Sequence, residues 1–152
     1  MSKGKFDFIP AAMEELGVQK HFHKVKQRPG KPFWFGSHEN GALIFALPGN
    51  PISSFMCVQV FLKEWLNRSL GIEVVKRPFA QLSEEVVFKP DLTYFLEVKV
   101  EYSEVGSLIG IPQRGHGSGD LANLAEADAF IGLSQGKDIF RKGESYPLYF
   151  YR

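Results

Sequence analysis

The chain has 152 residues, a formal net charge of +1 and 44% hydrophobic residues, which is typical of a globular protein. Near-neutral charge argues against a dedicated nucleic-acid-binding protein, and no apolar stretch is long enough to span a membrane. Cys57 is the single cysteine, which excludes an internal disulfide and fits a cytoplasmic location. Because Cys57 lies in an apolar stretch, we expect a buried, inert thiol rather than a nucleophile.

The first predicted helix covers residues 8–16, with Pro10 near its start and Gly17 directly after its end. Asp7 precedes this helix. Its carboxylate is either a helix cap or an acid that faces a ligand.

A basic segment follows. Residues 19–26 are predicted to form a strand that ends in a turn at Arg28-Pro29-Gly30, and five cations lie within twelve residues: Lys20, Lys24, Lys26, Arg28 and Lys31. Converging cations of this kind bind phosphate or another oxyanion, but lysines also protect a solvated edge strand, and both interpretations stay open. His21 and His23 alone are too few ligands for a zinc site.

An apolar run then leads into a long helix. The sequence predicts a short strand at residues 33–35, a strand buried on both faces at residues 41–47, and a helix at residues 51–70 that ends at Gly71. Asn50 is placed as the N-cap, Pro51 as the first helical residue, and Ser53 in the first turn. The free N–H groups of this turn could hold a phosphate, although the same pattern also describes an ordinary capped helix.

The chain changes character after Gly71. Lys76-Arg77-Pro78 resembles a linker, and the remaining residues favour strands at 79–89, 93–102, 107–112, 129–134 and 145–151, with one helix at 121–127. A glycine-rich loop at residues 115–120 could form an anion-binding nest that includes Ser118, but the signal is weak and a plain turn is the preferred explanation. Five short strands predict a small barrel or sandwich.

The predicted fold class is therefore α/β plus all-β. Residues 1–75 are predicted to be part of an α/β domain with a parallel sheet and helices, and residues 76–152 a small C-terminal β-barrel. Two helices and two or three strands cannot cover both faces of a parallel sheet. We therefore expect the first part to be a cut through a larger α/β domain.

Several motifs carry a family resemblance. They are Gly4–Asp7, Glu14–Gly17, Phe22–Lys24, Arg28–Pro32, Leu47–Ser53 and, in the second half, Tyr94–Leu96, Gly117–Gly119 and Ala125–Asp128. In order and spacing the chain resembles the C-terminal portion of the molybdopterin molybdotransferases, the family of MoeA and of the gephyrin E domain. The resemblance implies a molybdopterin-binding domain followed by the family's β-barrel.

The resemblance also implies an activity. Family members insert molybdate into adenylated molybdopterin, release AMP and use a divalent metal such as Mg²⁺. By resemblance, Asp7 matches an acidic residue of the active cleft and is the metal candidate. Lys24 and Arg28 match its basic residues, and Ser118 matches a serine of the barrel that faces the same cleft. Lys31, Asn50 and Ser53 are further oxyanion-binding candidates, and the full-length protein is expected to be a homodimer.

Two departures from the family are visible. Family chains are much longer, so we expect this chain to be an excised fragment that is inactive alone and lacks part of its magnesium site. Glu97 stands where the family usually has arginine, which predicts weaker molybdate binding because the charge is reversed. The alternative function is a non-catalytic binding or scaffold module, which exposed aromatics among Tyr146, Tyr149 and Tyr151 would favour.

Overall fold

The computed structural model describes residues 8–73, 76–113 and 121–152. Asp7 and Ser118 lie outside these ranges. The first part of the described chain contains α1 (Ile9–Glu15), β1 (Gln19–His23), β2 (Gln27–Arg28), β3 (Trp34–Ser37) and β4 (Leu43–Ala46). A long helix follows: α2 (Pro51–Cys57) continues through a π-helical segment (Val58–Leu62) into α3 (Lys63–Ser69).

The second part is almost entirely strands. It contains β5 (Phe79–Leu82), β6 (Val86–Val87), β7 (Thr93–Tyr102), β8 (Leu108–Pro112), α4 (Leu121–Glu126), β9 (Ala129–Leu133), β10 (Ile139–Phe140) and β11 (Ser145–Phe150). The predicted α/β part followed by a β-barrel is confirmed. Sequence analysis missed β10 because two residues are too few to show an alternating pattern.

The strands of the first part run in a direction that differs from the prediction. β3 pairs antiparallel with both β1 and β4, in the order β1-β3-β4. A parallel pair needs a crossover of about a dozen residues or more, and only residues 38–42 join β3 to β4. The pairings of β3 with β1 and β4 are therefore antiparallel where a parallel sheet was expected, and between β3 and β4 the short connection forms a hairpin.

Strand β4 is also less buried than its apolar sequence predicted. Leu43 is exposed, and Ile44, Phe45 and Ala46 are half-buried. Trp34 on β3 is fully buried and packs with Val18, Met13 and Ile44. An apolar run alone does not distinguish a central strand from one that pairs on only one side.

The barrel closes through five strands. The order β7-β8-β5-β11-β9 returns to its start because β9 also pairs with β7. Side chains that point inward form one core, and its fully buried members include Val98, Ile131, Phe140 and Leu148. In β7, Leu96 and Val98 lie inside the barrel, as the two-residue period of a strand requires, whereas Tyr102 at the strand end is exposed.

The outer face of the barrel meets the first part of the chain. β2 pairs parallel with the start of β7, at Gln27–Thr93 and Arg28–Tyr94. Phe95 and Phe130 point out of the barrel into a second core with Phe33, Met56, Cys57 and Val60. The two parts therefore share one sheet edge and one hydrophobic core.

One polar cluster links β11 to the loop before it. The Glu144 carboxylate accepts hydrogen bonds from Lys137 Nζ (2.6 Å), the Tyr146 hydroxyl (2.5 Å) and the Arg141 backbone N–H (2.9 Å). These donors, with Lys137 the strongest, lower the pKa of Glu144 to about 2. The carboxylate therefore stays ionised and orders the turn that leads into β11.

Candidate functional site

Lys24 lies in an unusual backbone conformation. It is the only described residue other than glycine with a positive φ, at 68°. Its N–H donates to the Phe33 carbonyl (3.0 Å), and the next N–H, from Val25, donates to the Lys31 carbonyl (2.9 Å). Left-handed backbone is costly for a side chain with a Cβ, and such residues are concentrated at functional sites.

Beyond Lys24, the chain turns tightly around Gln27. The Gln27 amide is buried, and its Nε2 donates to the Gly30 carbonyl (3.2 Å) and to Cys57 Sγ (3.6 Å). The Arg28–Pro29 peptide bond is cis. Burial raises the pKa of Cys57 to about 12, and the hydrogen bond from Gln27 opposes this only in part. Cys57 is thus the buried, unreactive thiol that the sequence predicted.

Arg28 contacts the barrel. Its guanidinium lies over the Phe88 ring, 5.9 Å from the centroid, and Phe88 stacks on Tyr94 with 4.3 Å between the ring centroids. Burial raises the pKa of the Tyr94 hydroxyl, and the charge of Arg28 partly offsets that effect. Arg28 is therefore held at the contact between strand β7 and residues 24–33, which we call the basic turn.

The other lysines of the basic segment form separate ion pairs. Lys20 pairs with Glu14 of α1 (3.7 Å), and Lys26 pairs with Asp91 (3.6 Å). A bulge between Lys20 and Phe22 interrupts the regular pairing of β1 with β3. Lys31 is exposed at the turn. The basic residues therefore spread over several neighbours and do not all point to one place.

The predicted helix cap is present. Asn50 Oδ1 accepts from the Ser53 backbone N–H (3.0 Å) and from the Ser53 hydroxyl (3.2 Å). Pro51 is the first helical residue, and the Ser54 hydroxyl donates to the Pro48 carbonyl. Asn50 and Ser53 thus order the helix N-terminus, and whether this turn also binds an oxyanion stays a prediction.

An aromatic groove of about 750 Å³ lies between the three-stranded sheet and the long helix. Its walls include Phe22, Phe35, Phe45, Phe61 and Trp65, and Lys24 lies at its edge. The aromatic rings of the walls pack on one another: the ring centroids of Phe35 and Phe45 are 4.8 Å apart, and those of Phe45 and Trp65 are 5.1 Å apart. Sequence reasoning missed this groove, since its residues come from four different elements.

A second groove, of about 430 Å³, lies between α3, the start of the barrel segment and β11. We call it the basic groove and define it by Gln59, Lys63, Glu64, Arg68, Lys76 and Arg77. Hydrogen bonds from Arg68 and then Arg77 lower the pKa of Glu64. The i, i+4 spacing of Glu64 and Arg68 was visible in the sequence, but their approach to Arg77 depends on the tertiary structure.

Neither groove is lined by both Lys24 and Arg28. Lys24 lines the aromatic groove, whereas the Arg28 guanidinium lies over the Phe88 ring. Their convergence on one oxyanion stays a prediction. The predicted roles of Asp7 and Ser118 lie outside the described residues.

Glu97 faces aromatic neighbours at the barrel surface. It lies opposite Phe130 in the β7–β9 register, and its backbone carbonyl accepts from the Gln113 N–H (2.9 Å). Burial raises the pKa of Tyr151, and the charge of Glu97 adds to that effect. The Glu97 carboxylate is therefore close to Tyr151, and the raised pKa keeps the Tyr151 hydroxyl protonated.

The three tyrosines considered for a binding surface are half-buried. Tyr146 donates to Glu144, Tyr149 lies beneath the Arg77 guanidinium at 4.1 Å, and Tyr151 packs on Phe55 and Phe130 at 5.0 Å each. They serve internal packing and do not form the exposed patch that a scaffold would present.

Two protein-family models match the chain, one in each of its two parts. Residues 1–68 match the family described as probable molybdopterin binding domain, and residues 80–150 match the MoeA C-terminal region, domain IV. A molybdopterin molybdenumtransferase of Synechocystis is 40% identical over 150 residues, which are 98% of this chain and 36% of that protein. The chain belongs to the MoeA family.

Further relatives agree with this assignment. The molybdopterin molybdenumtransferase of Bacillus subtilis is 32% identical over 97% of this chain and 34% of its own length. The crystal structure of the molybdopterin biosynthesis MoeA protein from Pyrococcus horikosii superimposes with a TM-score of 0.77 at 27% identity, over 99% of this chain and 36% of that one. The chain thus spans about a third of the length of the curated relatives it matches.

Proposed function

We propose that this chain forms the C-terminal part of a molybdopterin molybdenumtransferase, which inserts molybdate into adenylated molybdopterin during molybdenum cofactor biosynthesis. The main support is the succession of a molybdopterin-binding match and a MoeA C-terminal match within one chain that is 40% identical to such a transferase. The chain by itself is expected to be inactive, since it spans about a third of those relatives.

The basic turn is the proposed oxyanion site. Lys24, Arg28 and Lys31 lie on one loop that is ordered by backbone hydrogen bonds and by buried Gln27. Cations held in place neutralise the charge of phosphate and molybdate oxygens as they react. The left-handed backbone at Lys24 supports a functional role for that side chain.

Magnesium does not fit the described residues alone. Mg²⁺ is held by carboxylates and other oxygen ligands. Residues 8–73, 76–113 and 121–152 contain no group of three or more His, Cys, Asp or Glu side chains that could hold a metal ion. The candidate ligand Asp7 lies outside these ranges. We therefore assign no step of the reaction to magnesium.

Three further expectations stay proposals. The division into residues 1–75 and 76–152 agrees with the two matched regions, although the shared core crosses it. A homodimer of the full-length protein and a cytoplasmic location are also proposed. Within the described residues, no helix has the length and apolar content needed to cross a membrane.

The alternative, a non-catalytic binding module of the same architecture, gains no support from Tyr146, Tyr149 and Tyr151. Each of these side chains is half-buried and contacts other residues of the chain.

A chimera tests the proposed function. This chain replaces the matching C-terminal segment of the Synechocystis relative, and molybdenum insertion into adenylated molybdopterin is measured together with AMP release. We expect activity in the chimera, and a loss of about 100-fold in Lys24→Ala and Arg28→Ala, since each removes a cation from the reacting oxyanions.

Lys142→Ala is the matched control, since it removes an exposed barrel lysine outside both grooves. Full activity is expected for that variant. A folded chimera that inserts no molybdenum, or one in which Lys24→Ala and Arg28→Ala are fully active, would contradict the proposal.

A further inference from the structure

The basic groove contains more cationic side chains than its one carboxylate can neutralise. Four cations, Lys63, Arg68, Lys76 and Arg77, line it together with one carboxylate, Glu64. Within the described part of the chain neither Lys63 nor Lys76 has an ion-pair partner. The groove therefore has an excess of positive charge on a concave surface, which attracts anions.

Glu64 holds the two guanidinium groups in fixed positions. Its Oε1 accepts from Arg68 Nη2 (2.9 Å) and Nε (3.2 Å), and its Oε2 accepts from Arg77 Nη2 (2.6 Å). The Arg77 guanidinium also lies on the Tyr149 ring, 4.1 Å from its centroid. Each arginine has five N–H donors, so both keep donors that these contacts do not use. Side chains ordered in advance lose less entropy when a ligand binds.

Gln59 provides an independent observation. Gln59 lines the groove, and its Oε1 is buried and accepts no hydrogen bond from the residues that the structure describes. A buried acceptor without a donor is costly, so a ligand that brings a hydroxyl group would relieve that cost. A simple inorganic anion without a hydroxyl would not.

We propose that the basic groove binds a small organic phosphate. The phosphoryl group contacts Arg68, Arg77 and the two lysines, and a hydroxyl of the ligand donates to Gln59 Oε1. Phosphate suits this site because its dianion and three oxygens match several converging cations. The volume of about 430 Å³ accommodates a ligand larger than the phosphoryl group alone. This site goes beyond the proposed transferase function and uses none of its predicted residues.

Calorimetry of the 152-residue chain with ribose 5-phosphate tests the proposal. The double variant Lys63→Ala/Lys76→Ala is expected to weaken binding about tenfold or more, because it removes two cations that face the ligand. The matched control Lys89→Ala/Lys142→Ala removes two exposed lysines outside the groove and is expected to bind like the parent chain. Absence of binding at millimolar ligand, or equal losses in both double variants, would overturn the site.

Gln59→Met tests the hydroxyl contact separately. The parent chain is expected to prefer ribose 5-phosphate to sulfate, a dianion without a hydroxyl, and this variant to lose the preference while it still binds sulfate. An unchanged preference would refute the role of Gln59. In the chimera, Lys63→Ala/Lys76→Ala is expected to leave molybdenum insertion intact, so this proposal and the proposed function can fail separately.

Discussion

Individual residues near the candidate site show how tightly the basic turn packs against the long helix. Gly30 has a φ of +89°, and a Cβ built there would lie 2.8 Å from Gln27 Nε2, 2.9 Å from Cys57 Sγ and 2.9 Å from Met56 Cε. Gly41 has nearly the same φ, +88°, but a Cβ there would meet nothing within 4 Å. Alanine substitutions at Gly30 and Gly41 therefore separate the free-energy cost of the backbone conformation from the cost of steric crowding.

Gly30→Ala is therefore predicted to destabilise the protein more than Gly41→Ala. Both variants lose roughly 1–2 kcal/mol for the left-handed backbone. Gly30→Ala loses about 1–3 kcal/mol more because the buried neighbours must move. Urea unfolding measures both free energies, and equal losses would show that the contact at Gly30 is loose.

At the scale of elements, the long helix of the first part packs directly against the barrel. Its apolar pattern predicted one continuous helix over 51–70, and the structure inserts a π-helical segment at Val58–Leu62. The extra residue changes which side chains face inward. The ring centroid of Phe61, within this segment, lies 5.5 Å from that of Phe33 and 6.1 Å from that of Phe95. Phe61 therefore packs against both the basic turn and the barrel.

The N-cap of this helix gives a second prediction. Asn50→Ala is expected to lower the free energy of unfolding by about 1 kcal/mol, because Asn50 Oδ1 no longer accepts from the Ser53 N–H. Asn50→Asp keeps an acceptor and should retain most of the stability.

Asn67→Ala is the matched control, since Asn67 lies within α3 and alanine is the better helix former there. We expect that variant to be no less stable than the parent chain in thermal or urea unfolding. A loss at Asn67 equal to that at Asn50 would contradict the capping role.

At the scale of the whole molecule, the two parts are expected to unfold together. β2 extends the barrel sheet, and Phe95 and Phe130 of the barrel are buried against Met56, Cys57 and Val60. A shared core usually couples unfolding into one transition. Both tryptophans, Trp34 and Trp65, lie in the first part, so their fluorescence reports that part alone.

Ile131→Val tests this coupling from inside the barrel, where Ile131 is fully buried. The variant is expected to cost about 1 kcal/mol and to lower the urea midpoint of tryptophan fluorescence and of far-UV circular dichroism by the same amount. An unchanged fluorescence midpoint would show instead that residues 1–75 unfold independently of the barrel.

Much of this architecture could be predicted because its causes are local. Asn50 and Pro51 begin the helix through their own side chains, Gly17 and Gly71 follow helix ends with positive φ, and the alternation of Leu96 and Val98 defines a barrel strand. The motifs of the basic turn and of the helix start likewise indicated the MoeA family. Such features depend on neighbours within a few residues, so the sequence determined them directly.

The tertiary structure alone decided the rest, because those features join residues that are far apart in the chain. The direction of β3 and β4, the π-helical segment, the Glu64–Arg77 contact and the packing of Tyr149 and Tyr151 all depend on long-range contacts. A basic residue carries the same charge in any fold, but its partner is fixed only in space. The sequence therefore determined which cations exist, and the fold decided that Lys24 lines an aromatic groove and that Arg28 lies over Phe88 of the barrel.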